Sequence, residues 1–162
     1  PFSDTLRGIL NKPADIKGLS IETNKDLLYF NIHTVKAPKS RYYYLLHLIF
    51  FNIDGSTKRA VLTINDGRVA VLKLTGDSLE LPENAGCRIK DNHITVFLPI
   101  KDLPACRSFL VNAVSFNKNG KIIDRTGVRL IRIREKGGAA GKNRQTSAAA
   151  LHGRFSVIPF IK

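Results

Sequence analysis

Methionine and tryptophan are absent from the 162 residues, cysteine occurs twice, and 13 acidic residues stand against 26 lysines and arginines. Each shortage narrows the field. Cys87 and Cys106 are eighteen residues apart in between, with no CxxC pairing and no histidine at ligand spacing, so a zinc site is not expected. Two buried or half-buried free thiols are the reading this residue type favours, and a disulfide stays open outside the cytosol. No run of about 18 uncharged apolar residues exists, so no helical membrane span is expected. The N-terminal PFSDTLRGIL lacks the basic-then-apolar plan of a secretory signal. With proline at position 1, a cytosolic start and a fragment of a longer chain both fit. GxSxG, HExxH and GxxxxGK[ST] are all missing, which removes the nucleophile elbow, the zincin helix and the P-loop. Acidic residues fall mostly at turns (Asp54, Asp66, Asp77, Asp91, Asp124), where a short carboxylate bonds its own backbone. An enzyme is therefore not expected.

What is present is strand. Tyr42 to Ile53 reads YYYLLHLIFFNI, without charge, glycine or proline, and turns at Asp54-Gly55. Both alternating sets are almost wholly aromatic or aliphatic, which predicts a strand buried on both faces in the middle of a two-layer β-structure. LLYFNIHTV (27 to 35) alternates Leu28, Phe30, Ile32 and Thr34 with Tyr29, Asn31 and His33, the period of a half-buried strand. RAVLTIN and RVAVLKLT flank Asp66-Gly67, the strongest hairpin signal in the chain. CRIK and HITVFLPI flank Asp91-Asn92, and FLVNAVSFN precedes a turn at Lys118-Asn119-Gly120 and then KIIDRTGVRLIRIR. With IKGLSIET first, about nine strands result. The fold class is all-β: an antiparallel β-sandwich, jelly-roll or immunoglobulin-like, with an extended basic C-terminal arm. The best helix candidate, Ser3 to Leu10, is too short to matter.

Three segments follow: an N-terminal arm (1–14), the sandwich (15–134) and a basic Gly/Ala-rich arm (135–162). The net charge of +13 favours an anionic partner such as nucleic acid, phospholipid headgroups or acidic glycan. Residues 132 to 162 hold seven Lys and Arg against one Glu. Arg125, Arg129, Arg132 and Arg134 form a stripe on the last core strand, continued by Lys136, Lys142, Arg144 and Arg154. One reading is a polyanion contact, the other a solvated guard against edge pairing. Phe155 to Ile161, with Phe155, Val157, Ile158 and Phe160 as its apolar residues, is expected to be an assembly strand on its own sheet or a neighbour's.

The pieces LYFNI, the central strand ending in IDG, ITVFLPIKDL and the late GKIID resemble the DOMON-like sandwiches across residues 14 to 131. That group includes family 9 carbohydrate-binding modules and the haem subunits related to ethylbenzene dehydrogenase. The resemblance implies a non-catalytic binding or interaction module, part of a larger extracytoplasmic (periplasmic or secreted) protein or complex, with carbohydrate as the candidate ligand. Candidate ligand residues are Tyr29, His33, Tyr42, Tyr44 and His47. The sugar-binding members stack tryptophan on a pyranose face, and this chain has none. The haem-binding members use methionine, also missing, so haem b would need His33, His47, His93 or a lysine. His33 and His47 would neighbour each other if their strands paired, and calcium could fall to Asp54 and Asp124. The alternative function is a basic structural subunit that contacts its neighbours or nucleic acid through the C-terminal arm.

Overall fold

The period-2 patterning carries directly into the backbone. The computed structural model describes residues 13–24, 26–71, 84–134 and 154–157. These form β1 (Ile16–Asn24), β2 (Leu27–Thr34), β3 (Tyr42–Asn52), β4 (Thr57–Asn65), β5 (Arg68–Val71), β6 (Gly86–Lys90), β7 (His93–Pro99), β8 (Cys106–Asn117), β9 (Ile122–Arg125), β10 (Arg129–Arg134) and β11 (Arg154–Val157). A 3₁₀ turn over Ile100–Asp102 follows β7, and no α-helix occurs among the described residues. Ser3 to Leu10 lies outside them.

Two antiparallel sheets make a β-sandwich. The smaller has the order β1-β2-β7-β6; the larger has the order β11-β10-β8-β3-β4-β5, with β9 beside β8. The turns follow their residues. Asp66 and Gly67 both take positive φ (48° and 74°) in the β4–β5 hairpin, and Asp91 does so (52°) between β6 and β7. Such turns match the twist of the strands they join, and Asp and Gly tolerate the left-handed region best. The two halves of the chain repeat one plan. A hairpin in the smaller sheet (β1–β2, then β6–β7) crosses into the larger one, where β3 leads to β4 and β5, and β8 leads to β9, β10 and β11. The halves join through β2–β7 and β3–β8 at the centre of each sheet.

Inward side chains of these central pairs build the core. Leu28, Phe30, Ile32, Ile94, Val96 and Leu98 on one sheet meet Tyr44, Leu46, Leu48, Phe50, Phe109 and Val111 on the other, none more than 2 % exposed. Phe109 spans the two layers, packing edge-on to Phe30 at 6.1 Å and tilted against Phe50 at 5.5 Å. Ile16 N donates to Asp124 Oδ2 at 2.8 Å and Tyr44 Oη to the Pro13 carbonyl at 2.7 Å. These bonds tie the start of β1 to the larger sheet. Ala14, next to Pro13, is fully buried in the core.

Two expectations need correction. The segment KIIDRTGVRLIRIR is not one strand: it breaks at Thr126–Val128 into β9 and β10. There the Thr126 hydroxyl accepts from Ala113 N at 2.9 Å while Thr126 N donates to Ala113 O at 2.8 Å, so the side chain patches the ladder across the irregularity. With β11, this gives eleven described strands. β3, expected to be buried on both faces, is buried on one. Tyr42, Tyr44, Leu46, Leu48 and Phe50 face the core, whereas Tyr43, Leu45, His47 and Ile49 are half-buried and Phe51 is exposed. Among the described residues, cross-strand neighbours in a wide sheet, not a second layer, cover part of these outer side chains.

The one-sided burial is testable. Leu48→Ala should cost about 3 kcal/mol, the cost typical of emptying a sealed core site, and Leu45→Ala about 1 kcal/mol or less. Denaturant titration of both variants decides this, and equal losses would mean that a layer covers the outer face.

Candidate functional site

Two outer sheet faces and one cleft present the chemistry. On the smaller sheet the register aligns Gly18, His33, His93 and Lys90 in one row, Ser20, Asn31, Thr95 and Arg88 in the next, and Glu22, Tyr29, Phe97 and Gly86 in the third. Several of its groups bond one another. Thr95 Oγ1 donates to Asn31 Oδ1 at 2.8 Å, Asn31 Nδ2 donates to Glu22 Oε1 at 3.3 Å, and Ser20 Oγ and His33 Nε2 are hydrogen-bonded at 3.1 Å. The His33 and His93 rings meet edge to face at 4.7 Å. Phe97 lies 6.3 Å from Tyr29 and folds its ring over Gly86, where a Cβ would strike it.

The outer face of the larger sheet has the opposite character. Tyr43 and Phe116 stack at 5.4 Å with 14° between planes, and the rows behind them pair Leu45 with Val114 and Ile49 with Leu110. His47, opposite Asn112 and Val61, is the one ionisable side chain in the middle. Among the described residues the exposed large apolar side chains are Phe51, Ile53, Ile122 and Val128. Phe51 is on this face, Ile122 pairs with Phe116 at its border, and Ile53 and Val128 follow β3 and β9 in the adjoining loops. Apolar side chains concentrated on one outer face of a folded domain, rather than scattered over it, point to an interaction site.

The cleft, about 300 Å³, opens at the β2–β3 connection and is lined by Pro38, Lys39, Ser40, Tyr42, Tyr44, Asp66, Gly67 and Ile89. Asn65 Nδ2 donates to the carbonyls of Ser40 and Tyr42, both at 2.9 Å, and fixes one wall. The Arg41 guanidinium sits 4.9 Å over the Tyr42 ring.

The residues expected to bind a ligand therefore fall on three surfaces. Tyr29 and His33 lie on the outer face of the smaller sheet, Tyr42 and Tyr44 in the cleft, and His47 on the outer face of the larger sheet. His33 does not meet His47, because β2 and β3 belong to different sheets; its neighbour is His93. Those two rings touch, and both stand on an open sheet face. His33 and His93 thus share one outer face, and His47 lies on the other sheet. Asp54 and Asp124 are at opposite ends of β3. Asp54 Oδ1 accepts from Ser56 N and Oγ at 2.9 and 2.6 Å, and the Ser56 bonds hold its carboxyl below the usual range. Asp124 accepts from Ile16 N and Arg125 N, both at 2.8 Å. Each carboxylate is engaged in the fold, and no group of three or more candidate metal ligands exists among the described residues.

Arg132 is exposed on the outer face of the larger sheet, and Arg129 is half-buried where β10 begins. Pairing sets Arg134 opposite Arg154, Phe155 opposite Ile133 and Val157 opposite Ile131. β11 thus closes on its own chain's sheet. Lys136, Lys142, Arg144, Ile158 and Phe160 lie outside the described residues. Sequence reasoning passed over Phe116, Leu110 and Phe97. Their alternation was visible, but only the registers of β8 on β3 and of β7 on β2 show what they adjoin.

No protein-family model matches the chain, and comparison with curated proteins and with solved structures gave no match. None of the described helical content is long and apolar enough to cross a membrane.

Burial, and then the neighbouring His93, lower the His33 pKa despite Glu22; burial, and then Arg59, lower that of His47. With an unfolded value of about 6.5, the unfolded chain takes up protons first as the pH falls, so these rings contribute full stability above that pH and lose it on acidification. The melting temperature should drop between pH 7 and 5, and His33→Gln with His47→Gln should flatten the drop. An unchanged slope would remove both histidines as its cause.

Cys87 and Cys106 are free thiols on different sheets, and burial pushes each up to about 11. Since thiolate is the reactive form, neither should titrate readily with a disulfide reagent at pH 7.5 in the native state, and both should after unfolding. Rapid native labelling of either would contradict this burial.

Proposed function

We propose that this chain is a non-catalytic, DOMON-like interaction module that docks another protein through the outer face of its larger sheet. The observation that carries the reading is a wide sheet whose outward side chains are largely apolar, Leu45, Ile49, Phe51, Leu110 and Val114 among them, interrupted by His47 and Asn112 and without a described layer upon them. Interfaces are distinguished by an apolar, charge-depleted centre within a polar rim, and this face has that plan. The smaller sheet offers no equivalent apolar centre, because its outward rows carry Glu22, Asn31, His33, Thr95, Arg88 and Lys90. Carbohydrate is the weaker candidate here: Tyr29 packs beside Phe97, and Tyr42 and Tyr44 are buried at the cleft wall. The reading of the C-terminal arm as an assembly device receives less support, since β11 pairs with β10 of the same chain.

Photo-crosslinking in the native cell tests the reading. A benzophenone side chain at position 45 or 110 should give discrete adducts with another protein, whereas positions 31 and 95, on the opposite face, should not. Discrete adducts from 31 and 95 alone, or from none of the four, would overturn the assignment.

A further inference from the structure

Resting on that reading, we propose that the docked partner presents an apolar strip flanked by carboxylates, and that arginines bordering the outer face of the larger sheet select it. Register and alternation place Arg59 and Arg68 outward on β4 and β5, and Arg125 and Arg132 outward on β9 and β10; all four are exposed. The apolar rows of Leu45, Ile49 and Leu110 run between these two sides. No Asp or Glu occupies an outward position on any described strand of this sheet.

The face is thus an apolar strip between two cationic borders to which the sheet supplies no counter-charge. Guanidinium groups match carboxylates in a two-pronged geometry, and a partner covering the strip without acidic groups would leave these charges partly desolvated and unpaired. Complementary rim charges also raise association rates and reject wrong partners. A second copy is disfavoured, because it would set arginine borders and a net charge of +13 against their like. A lipid surface is disfavoured because interfacial anchors must sink together several ångströms into the headgroup layer, whereas Leu45, Ile49 and Leu110 are half-buried in mid-sheet and the exposed Phe51 and Ile122 stand at opposite ends of β3. Nucleic acid is disfavoured because its phosphates would lie across an apolar strip that offers them few donors, and for single strands the rings of Tyr43 and Phe116 already stack on each other.

The test is selection against the full chain from a displayed library of amphipathic helices with a fixed leucine stripe and flanking positions randomised over Glu, Lys, Gln and Ser. Glu should be enriched over Lys at the flanks by about tenfold, the sum of a few exposed ion pairs. Arg59→Glu with Arg132→Glu, at exposed positions that leave the core intact, should invert the preference toward Lys. Ile49→Ser with Leu110→Ser, which keeps every arginine, should abolish selection. Acidic enrichment that persists on the folded serine variant would reflect overall charge alone and overturn the proposal. So would binders without flank preference, tighter association with phosphatidylserine-containing vesicles than with the selected helices, or a stable dimer in sedimentation. Flank-neutral binders together with adducts at positions 45 and 110 would sink the charge proposal and leave docking standing; loss of both would sink docking as well.

Discussion

The constraint on which the structure depends is the long antiparallel pairing of β3 with β8. Registered from Tyr42 opposite Asn117 to Asn52 opposite Cys106, it sets which side chains point inward across the centre of the larger sheet. Phe109 then reaches Phe30 on the other layer, and the inward rows close into one core. Because side chains alternate strictly along a strand, a slip of one residue would exchange the core set with Leu45, His47 and Ile49. Both sets on β3 are apolar, so hydrophobicity alone discriminates poorly between the two registers. The polar residues on the outward side, His47, Asn112 and Ser108, together with the turn at Asp54 to Ser56, supply the discrimination.

Much of the fold was legible in the chain because its turns use residues with steric reasons to be there. Asp66-Gly67, Asp91-Asn92 and Lys118-Asn119-Gly120 each fall between strands, and the alternation of LLYFNIHT corresponds residue by residue to burial. The candidate face was less legible. An apolar alternation on both sides of a strand is the same string whether the second side meets another layer, a partner or water. The pairing of His33 with His93, rather than His47, was equally hidden, since it depends on which strands share a sheet. The break at Thr126 carried no apolar signal, because a threonine hydroxyl there does the work of a backbone acceptor.

The two outer faces divide the molecule chemically. On the smaller sheet Glu22, Asn31 and Thr95, and Ser20 with His33, bond one another across a polar surface. On the larger sheet the outward side chains are mainly apolar around His47 and Asn112 at the centre and cationic at the margin, with no carboxylate among them on the described strands. The excess of positive charge is therefore not only a matter of total composition. It is distributed so that one face keeps mixed signs and the other does not.

The repeated plan of the two halves has a kinetic consequence. Each half holds its own hairpins, yet its central strands, β2 and β3 or β7 and β8, find their inner neighbours only in the other half, in pairs as remote in sequence as Leu27 with Pro99 and Tyr42 with Asn117. Neither half can bury its apolar face alone, so the entropy of closing long loops must be met before most of the core forms. Such a topology has a high contact order and folds slowly, and until the halves meet it exposes an apolar β3 to any other unpaired strand nearby.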